Sequence, residues 1–139
     1  MKRVFLDTNI LLDFTLGREH AEEAEKILAL GLAGAIEVCA SFLTYANMGF
    51  ILRHHPKEER YTLVKMMRDD VLVLPNDSRQ LDSGLSLYAD DIEDALQYEC
   101  AVSGHCNIIV TNNKRDFEPF SNLPIMTAKE FLLFYDEEE

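Results

Sequence analysis

The sequence predicts a single α/β domain: a mainly parallel central sheet of about five strands with helices covering both faces. Three observations lead there. Runs such as Val4-Phe5-Leu6 and Ile108-Ile109-Val110 are too uniformly apolar for half-exposed strands and fit buried parallel ones. They alternate with longer stretches of helical periodicity, and strand–helix–strand alternation implies right-handed crossovers in one sheet. At 139 residues and 47% hydrophobic content, the chain has room for one domain and ample material for its core.

Each element has its own local cause. Val4 to Leu6 is the first strand, and Ile10 to Leu16 a short helix stopped near Gly17. His20 to Leu32 is helical, with Ala24, Ile27, Leu28 and Gly31 on one face. Glu37 to Ala40 is a strand, and Ser41 caps a helix running to about Arg53. Pro56 suits the first turn of the next helix, which reaches about Arg68. Val71 to Leu74 reads as another buried strand, closed by Pro75-Asn76-Asp77. Ser78 to Leu87 and Ile92 to Ser103 are helical, the second terminated by Gly104. Asn107 to Val110 and Pro124 to Met126 complete the strands, and Thr127 caps a last helix through Phe134. Residues 1–135 are thus one domain, and Asp136-Glu137-Glu138-Glu139 a solvated acidic tail.

Composition narrows the setting. No stretch approaches the roughly 20 apolar residues that span a membrane, and Met1 to Asp7 has too short an apolar run for a signal peptide. Cys39, Cys100 and Cys106 are odd in number and lack CxxC spacing, which fits reduced thiols in a cytoplasmic protein, two of them in the core. His105 beside Cys106 lacks the further ligands that zinc requires. The net charge of −12 argues against a nucleic-acid substrate, because phosphate-binding proteins usually present a basic surface. Positive charge is concentrated, however, in Arg53, Lys57, Arg60, Lys65 and Arg68, with Lys114 and Arg115 elsewhere. Local fields govern docking more than net charge does.

The carboxylates carry the chemistry. The first strand runs into Asp7-Thr8-Asn9, and the Ile108–Val110 strand into Thr111-Asn112-Asn113-Lys114-Arg115-Asp116. In open α/β sheets ligands bind beyond the carboxyl ends of strands. Asp91-Ile92-Glu93-Asp94 adds acids at the start of a helix. Each has a plain structural reading: Asp7 or Asp91 as a helix cap, Glu93 and Asp94 as first-turn acids favoured by the helix dipole, Asp116 as a turn residue with Phe117 anchoring its loop. Ser41, Thr44 and Asn47 fall at helical spacing and aim a polar stripe at the same region, although Asn47 also suits a backbone hydrogen bond. Acids gathered from distant parts of a chain repel one another unless a cation or proton intervenes. A divalent-metal site follows.

The segments VFLDTN-ILLD, DIEDALQY and IIVTNNKRDF, in this order and spacing, resemble the PIN-domain nucleases, including the VapC-type toxins of toxin–antitoxin pairs, from Val4 to about Leu132. The resemblance implies a three-layer α/β/α fold and an acidic cluster of Asp7, Asp94 and Asp116 binding Mg²⁺ or Mn²⁺. Asn9, Thr111 and Asn113 would be supporting polar positions. It also implies RNA cleavage, a homodimer and, for a toxin, an antitoxin that blocks the site. One position departs from the pattern: most members carry glutamate where this chain has Asn47. An amide oxygen coordinates a hard cation without adding charge, and the adjacent Glu93 is a candidate to compensate.

The expected activity is a metal-dependent endoribonuclease, with Lys114 and Arg115 holding neighbouring phosphates. The alternative is a catalytically weak or inactive module that binds RNA or protein, which Asn47 and the acidic balance favour. Phosphatase or receiver chemistry fits less well. A dehalogenase-like site needs a second aspartate two residues after the first, and that position is Asn9.

Overall fold

The computed structural model describes residues 1–138, and Glu139 lies outside them. Five strands form one parallel sheet: β1 (Arg3–Leu6), β2 (Glu37–Ser41), β3 (Leu72–Leu74), β4 (Ile108–Val110) and β5 (Ile125–Met126). Their spatial order is β3-β2-β1-β4-β5. Phe5 is therefore central, in register with Cys39 of β2 on one side and Ile109 of β4 on the other. The chain winds outward from β1 through β2 to β3, then returns to place β4 on the opposite side of β1. The strand order reverses between β1 and β4. At such a switch point the connections diverge to either side and leave a crevice at the strands' carboxyl ends.

Seven helices flank the sheet: α1 (Thr8–Leu16), α2 (Ala21–Leu32), α3 (Phe42–Ile51), α4 (Lys57–Asp70), α5 (Ser78–Ser86), α6 (Ile92–Ser103) and α7 (Ala128–Glu138). Side chains alternate along each strand, so the sheet feeds two cores. Val4, Leu6, Val38, Ala40, Ile108 and Val110 join Leu11 of α1, Ile27 of α2, Met67 of α4 and Phe131 of α7. Phe5, Cys39 and Ile109 face the other way and join Tyr98, Cys100 and Ala101 of α6, with Cys106 and Phe117. The α5 helix packs alongside α6. This three-layer arrangement is the expected one. All three cysteines are free and buried, one more than expected in the core. Among the described residues no helix is long and apolar enough to cross a membrane.

Several element ends differ from expectation for identifiable reasons. The third helix ends at Ile51, and Leu52–His54 tightens into a 3-10 turn before Pro56. The β3 strand is an edge strand, so Leu72 is 43% exposed rather than buried. The last helix continues past Phe134 to Glu138, so Asp136 to Glu138 are helical rather than a loose tail. Thr127 and Glu130 form a reciprocal capping box at its start: the Thr127 N–H donates to Glu130 Oε1 (2.9 Å) and the Glu130 N–H to Thr127 Oγ1 (3.1 Å). Gly17 ends α1 in the left-handed region (φ 63°), but Gly104 ends α6 at φ −82°, and the left-handed residue is His105 (φ 57°). What excludes a side chain at position 104 is Leu74, whose Cδ1 lies 2.6 Å from where a Cβ would stand.

Gly31 tests packing against propensity. A Cβ there would lie 2.6 Å from Val38 Cγ2 and 3.3 Å from its Cβ. Valine is stiff at χ1 and held in the sheet, so it cannot step aside. Helix propensity alone predicts that Gly31→Ala stabilises the protein by about 1 kcal/mol. Overpacking predicts a loss of about 1–3 kcal/mol. The expected result of a urea melt is destabilisation, and a raised midpoint would show that α2 can shift away from β2.

Candidate active site

Asp7 sits where β1 ends and α1 begins, directly at the strand-order reversal. Its backbone N–H donates to Val110 O (3.0 Å), carrying the β1–β4 ladder one residue past the strand. Its carboxylate caps α1, Oδ1 accepting from the Thr8 N–H (2.8 Å), while Oδ2 accepts from the Thr111 hydroxyl at the end of β4 (2.9 Å). Capping and site formation are thus the work of one side chain. Burial pushes this carboxyl up to about 6. The bonds from Thr111 and Thr8 oppose the shift, and the negative charges of Glu93 and Asp116 add to it.

The other acids arrive from two further elements. Asp91 caps α6 by accepting from the Asp94 N–H (3.0 Å), which fixes Asp94 in the first turn. Burial, followed by the charges of Asp91, Asp116, Asp7 and Glu93, pushes Asp94 up to about 7. Asp116 closes the 3-10 turn Lys114–Asp116, pinned by the fully buried Phe117 that follows. Asp7, Asn9, Asn47, Glu93, Asp94 and Asp116 line one cleft of about 270 Å³, with Phe50 and Ile51 as its apolar edge.

Asp7, Asp94 and Asp116 come to one cleft without forming a closed ligand group. Among the described residues no group of three or more histidine, cysteine or acidic side chains is placed so that it could hold a metal ion as it stands. The three carboxylates share a cleft and one another's field instead. The donor set still suits a hard dication, because every group is an oxygen ligand. The like charges that add to the effect of burial on Asp7 and Asp94 are what such an ion would neutralise.

Asn47 faces this cleft rather than a backbone group in the core: its Nδ2 donates to Glu93 Oε1 (2.7 Å). The remaining expected residues divide. Thr111 is fully buried and holds two partners, Asp7 and the Asn113 N–H (3.0 Å). Asn9 accepts from Arg18 (3.3 Å), as backbone and as side chain. Lys114 pairs with Glu130 (3.1 Å), so it is engaged rather than free to clamp a phosphate. Arg115 and the Asn113 side chain line an adjoining polar cavity of about 430 Å³.

Two groups escaped the sequence reading. Gln97, only 1% exposed, donates from Nε2 to Thr8 Oγ1 (3.1 Å) and Thr44 Oγ1 (3.0 Å), and its Oε1 accepts from the Ser41 hydroxyl. The polar stripe of Ser41 and Thr44 therefore leads to Gln97, and it ties together α1, α3 and α6 beneath the cleft. The available signal was a polar residue within the apolar phase of α6. Asp13, 8% exposed, pairs with Arg18 (2.9 Å) and accepts from Asn112 Nδ2 (3.3 Å), holding α1 to the turn after β4. It stood in the quoted ILLD segment without a role.

Comparison with known proteins shows the family. The family model of the PIN domain matches residues 3–115. The chain belongs to the PIN-domain family. This PIN domain is 22% identical over 136 residues to Ribonuclease VapC1 of Aquifex aeolicus, covering 94% of this chain and 93% of that protein. Its fold is similar to that in the DNA-bound VapBC of Salmonella typhimurium (19% identity, 92% and 99% of the two chains, TM-score 0.75). It is also similar to a chain of a toxin–antitoxin complex from Klebsiella pneumoniae (21% identity, 90% and 97%, TM-score 0.66).

Two outcomes follow for the metal-free protein. Asp7 and Asp94 bind protons more tightly folded than unfolded, so their ionisation opposes folding as pH rises from about 4 to about 7. In EDTA the melting temperature is expected to be higher at pH 5 than at pH 7.5, and Asp7→Asn to reduce that difference while raising stability at pH 7.5. A mutant that melts lower at pH 7.5 would mean that capping outweighs repulsion. Asn47→Glu would set a carboxylate against Glu93. Melting in EDTA is expected to drop, while calorimetric titration shows tighter Mn²⁺ binding. Unchanged Mn²⁺ affinity would place position 47 outside the ion's reach.

Proposed function

We propose that this chain is a divalent-metal-dependent endoribonuclease and the toxin of a toxin–antitoxin pair. The observation that carries the reading is the set of carboxylates on three separate elements lining one cleft at the switch point, two of them raised first by burial and further by their neighbours' charge. Asp7, Asp94 and Asp116 would hold Mg²⁺ or Mn²⁺, with Glu93 and Asn47 completing the rim. A bound dication supplies Lewis-acid charge for phosphodiester hydrolysis. The residues of the chain prepare its place. Thr111 fixes Asp7 Oδ2, the Thr8 N–H fixes Oδ1, and the Gln97 network keeps α1, α3 and α6 in register. Arg115 is placed beside Asp116 to meet a substrate phosphate, a role that Lys114 takes only by leaving Glu130.

The similarity to Ribonuclease VapC1 supports RNA as substrate, and the likeness to toxin–antitoxin complexes supports an antitoxin partner. A homodimer belongs to the same reading, with Leu81, Leu85 and Ile92 exposed on α5 and α6 for a second copy to cover. Three free thiols suit a reducing cytoplasm. A second reading, an inactive binding module, is favoured by one observation: Asn47 spends its amide on Glu93 and adds no charge to the cleft.

Cleavage of a labelled RNA in Mn²⁺ separates the two. The parent is expected to cut, EDTA to stop it, and Asp7→Asn to lower the rate at least about a hundredfold with the fold retained, as expected when a charged group acting in the transition state is lost. Equal rates for parent and variant would remove the nuclease assignment.

A further inference from the structure

A concavity larger than the acidic cleft lies elsewhere on the molecule. A groove of about 710 Å³ runs between α3 and α4, floored by Tyr45, Val64 and Val73. Four cations line it, Arg53, Arg60, Lys65 and Arg68. Among the described residues none of the four pairs with a carboxylate. That is unexpected in a chain of net charge −12, where acids are abundant and surface cations find partners easily. Two aromatic rings in the groove also stand open to solvent, Phe42 at 65% and Tyr61 at 66% exposed.

The groove is joined to the cleft through α3. Asn47, Phe50 and Ile51 lie on the side of the helix that faces the cleft, and Phe42, Tyr45 and Gly49 on the side that faces the groove. At the carboxyl end of α3 the two meet. Arg53, a groove residue, lays its guanidinium 3.9 Å from the ring centroid of Phe50, a cleft residue, and donates to Phe50 O (2.8 Å). The stack makes a continuous cationic and aromatic ridge from one to the other.

We propose that the α3–α4 groove is an exosite for single-stranded RNA, holding the nucleotides that flank the bond placed in the acidic cleft. The proposal rests on the ribonuclease reading and names where that substrate gains its affinity. Single strands are held by cations that track the phosphates and by aromatic faces on which bases stack. This groove carries both, while the cleft, lined by carboxylates, repels the backbone it must receive. An acidic protein segment would match the charge, but the open faces of Phe42 and Tyr61 are what unpaired bases stack on.

The test uses the intact protein and a fluorescein-labelled, unstructured RNA 20-mer, with anisotropy in EDTA and cleavage in Mn²⁺. Lys65→Glu with Arg68→Glu changes two exposed side chains outside the cleft, and Tyr61→Ala removes a ring without touching charge. Both variants are expected to melt as the parent does. The charge variant is expected to bind at least about tenfold more weakly, with a salt slope shallower by about 1.4, since each single-strand phosphate contact contributes about 0.7. Tyr61→Ala is expected to weaken binding about fivefold or more, within the range for loss of one stacked base. Both are expected to raise KM for the 20-mer and leave kcat unchanged. If the parent cuts RNA while both variants bind and cut as it does, the exosite is wrong, the nuclease reading stands, and the groove is left to an acidic protein segment. If the parent neither binds nor cuts, the nuclease reading falls and takes the exosite with it.

Discussion

Thr111 donates to Asp7 across the point where the strand order reverses, and the rest of the site is arranged around that bond. It joins the ends of β1 and β4, the two strands whose connections leave to opposite sides. A carboxylate this buried is costly to ionise, and two hydrogen bonds and a helix start offset part of that penalty. The remaining acids deepen the problem rather than relieve it, since Glu93, Asp94 and Asp116 all face the same space. Such a site is stable only because the scaffold beneath it is rigid. The buried network of Gln97, Thr8, Ser41 and Thr44 provides that rigidity, and no buried side-chain polar atom among the described residues lacks a hydrogen-bond partner.

The fold was legible because its signals are local. Uniformly apolar runs marked the strands, and Ser41, Asp77, Asp91 and Thr127 stand at helix starts as short-range rules require. Where the reading failed, a tertiary fact intervened. The β3 strand looked buried because its residues are apolar, but its place at the sheet edge leaves Leu72 open. Gly104 ends α6 as expected, yet the demand for glycine there comes from Leu74, thirty residues earlier. Strand order itself depends on pairings such as Val4 with Ile108, which no local pattern encodes.

The acids of the site were legible as a constellation and not as a geometry. Acids that follow a strand or open a helix stood out, the resemblance to PIN domains singled out Asp7, Asp94 and Asp116 among them, and the structure brings all three to one cleft. Spacing could not reveal that Asn47 would turn to Glu93, or that Lys114 would be held by a glutamate sixteen residues on. Gln97 was missed for a different reason. A glutamine on the apolar phase of a helix is a conflict, and conflicts of this kind mark buried networks more often than errors.

The register of β1 against β4 also bears on how the molecule is made. The central strand precedes the other four in sequence, yet one of its two neighbours begins at Ile108, about four-fifths of the way along the 139 residues. Until then β1 has only β2 beside it, and Asp7 has neither Thr111 nor Asp116 for company. Closing so long a loop is entropically demanding and comes after the local helices have formed. Without β4 and the turn after it, Asp7 lacks its Thr111 partner and the cleft lacks the wall that Asp116 supplies. The cleft thus depends on the longest-range strand pairing in the sheet.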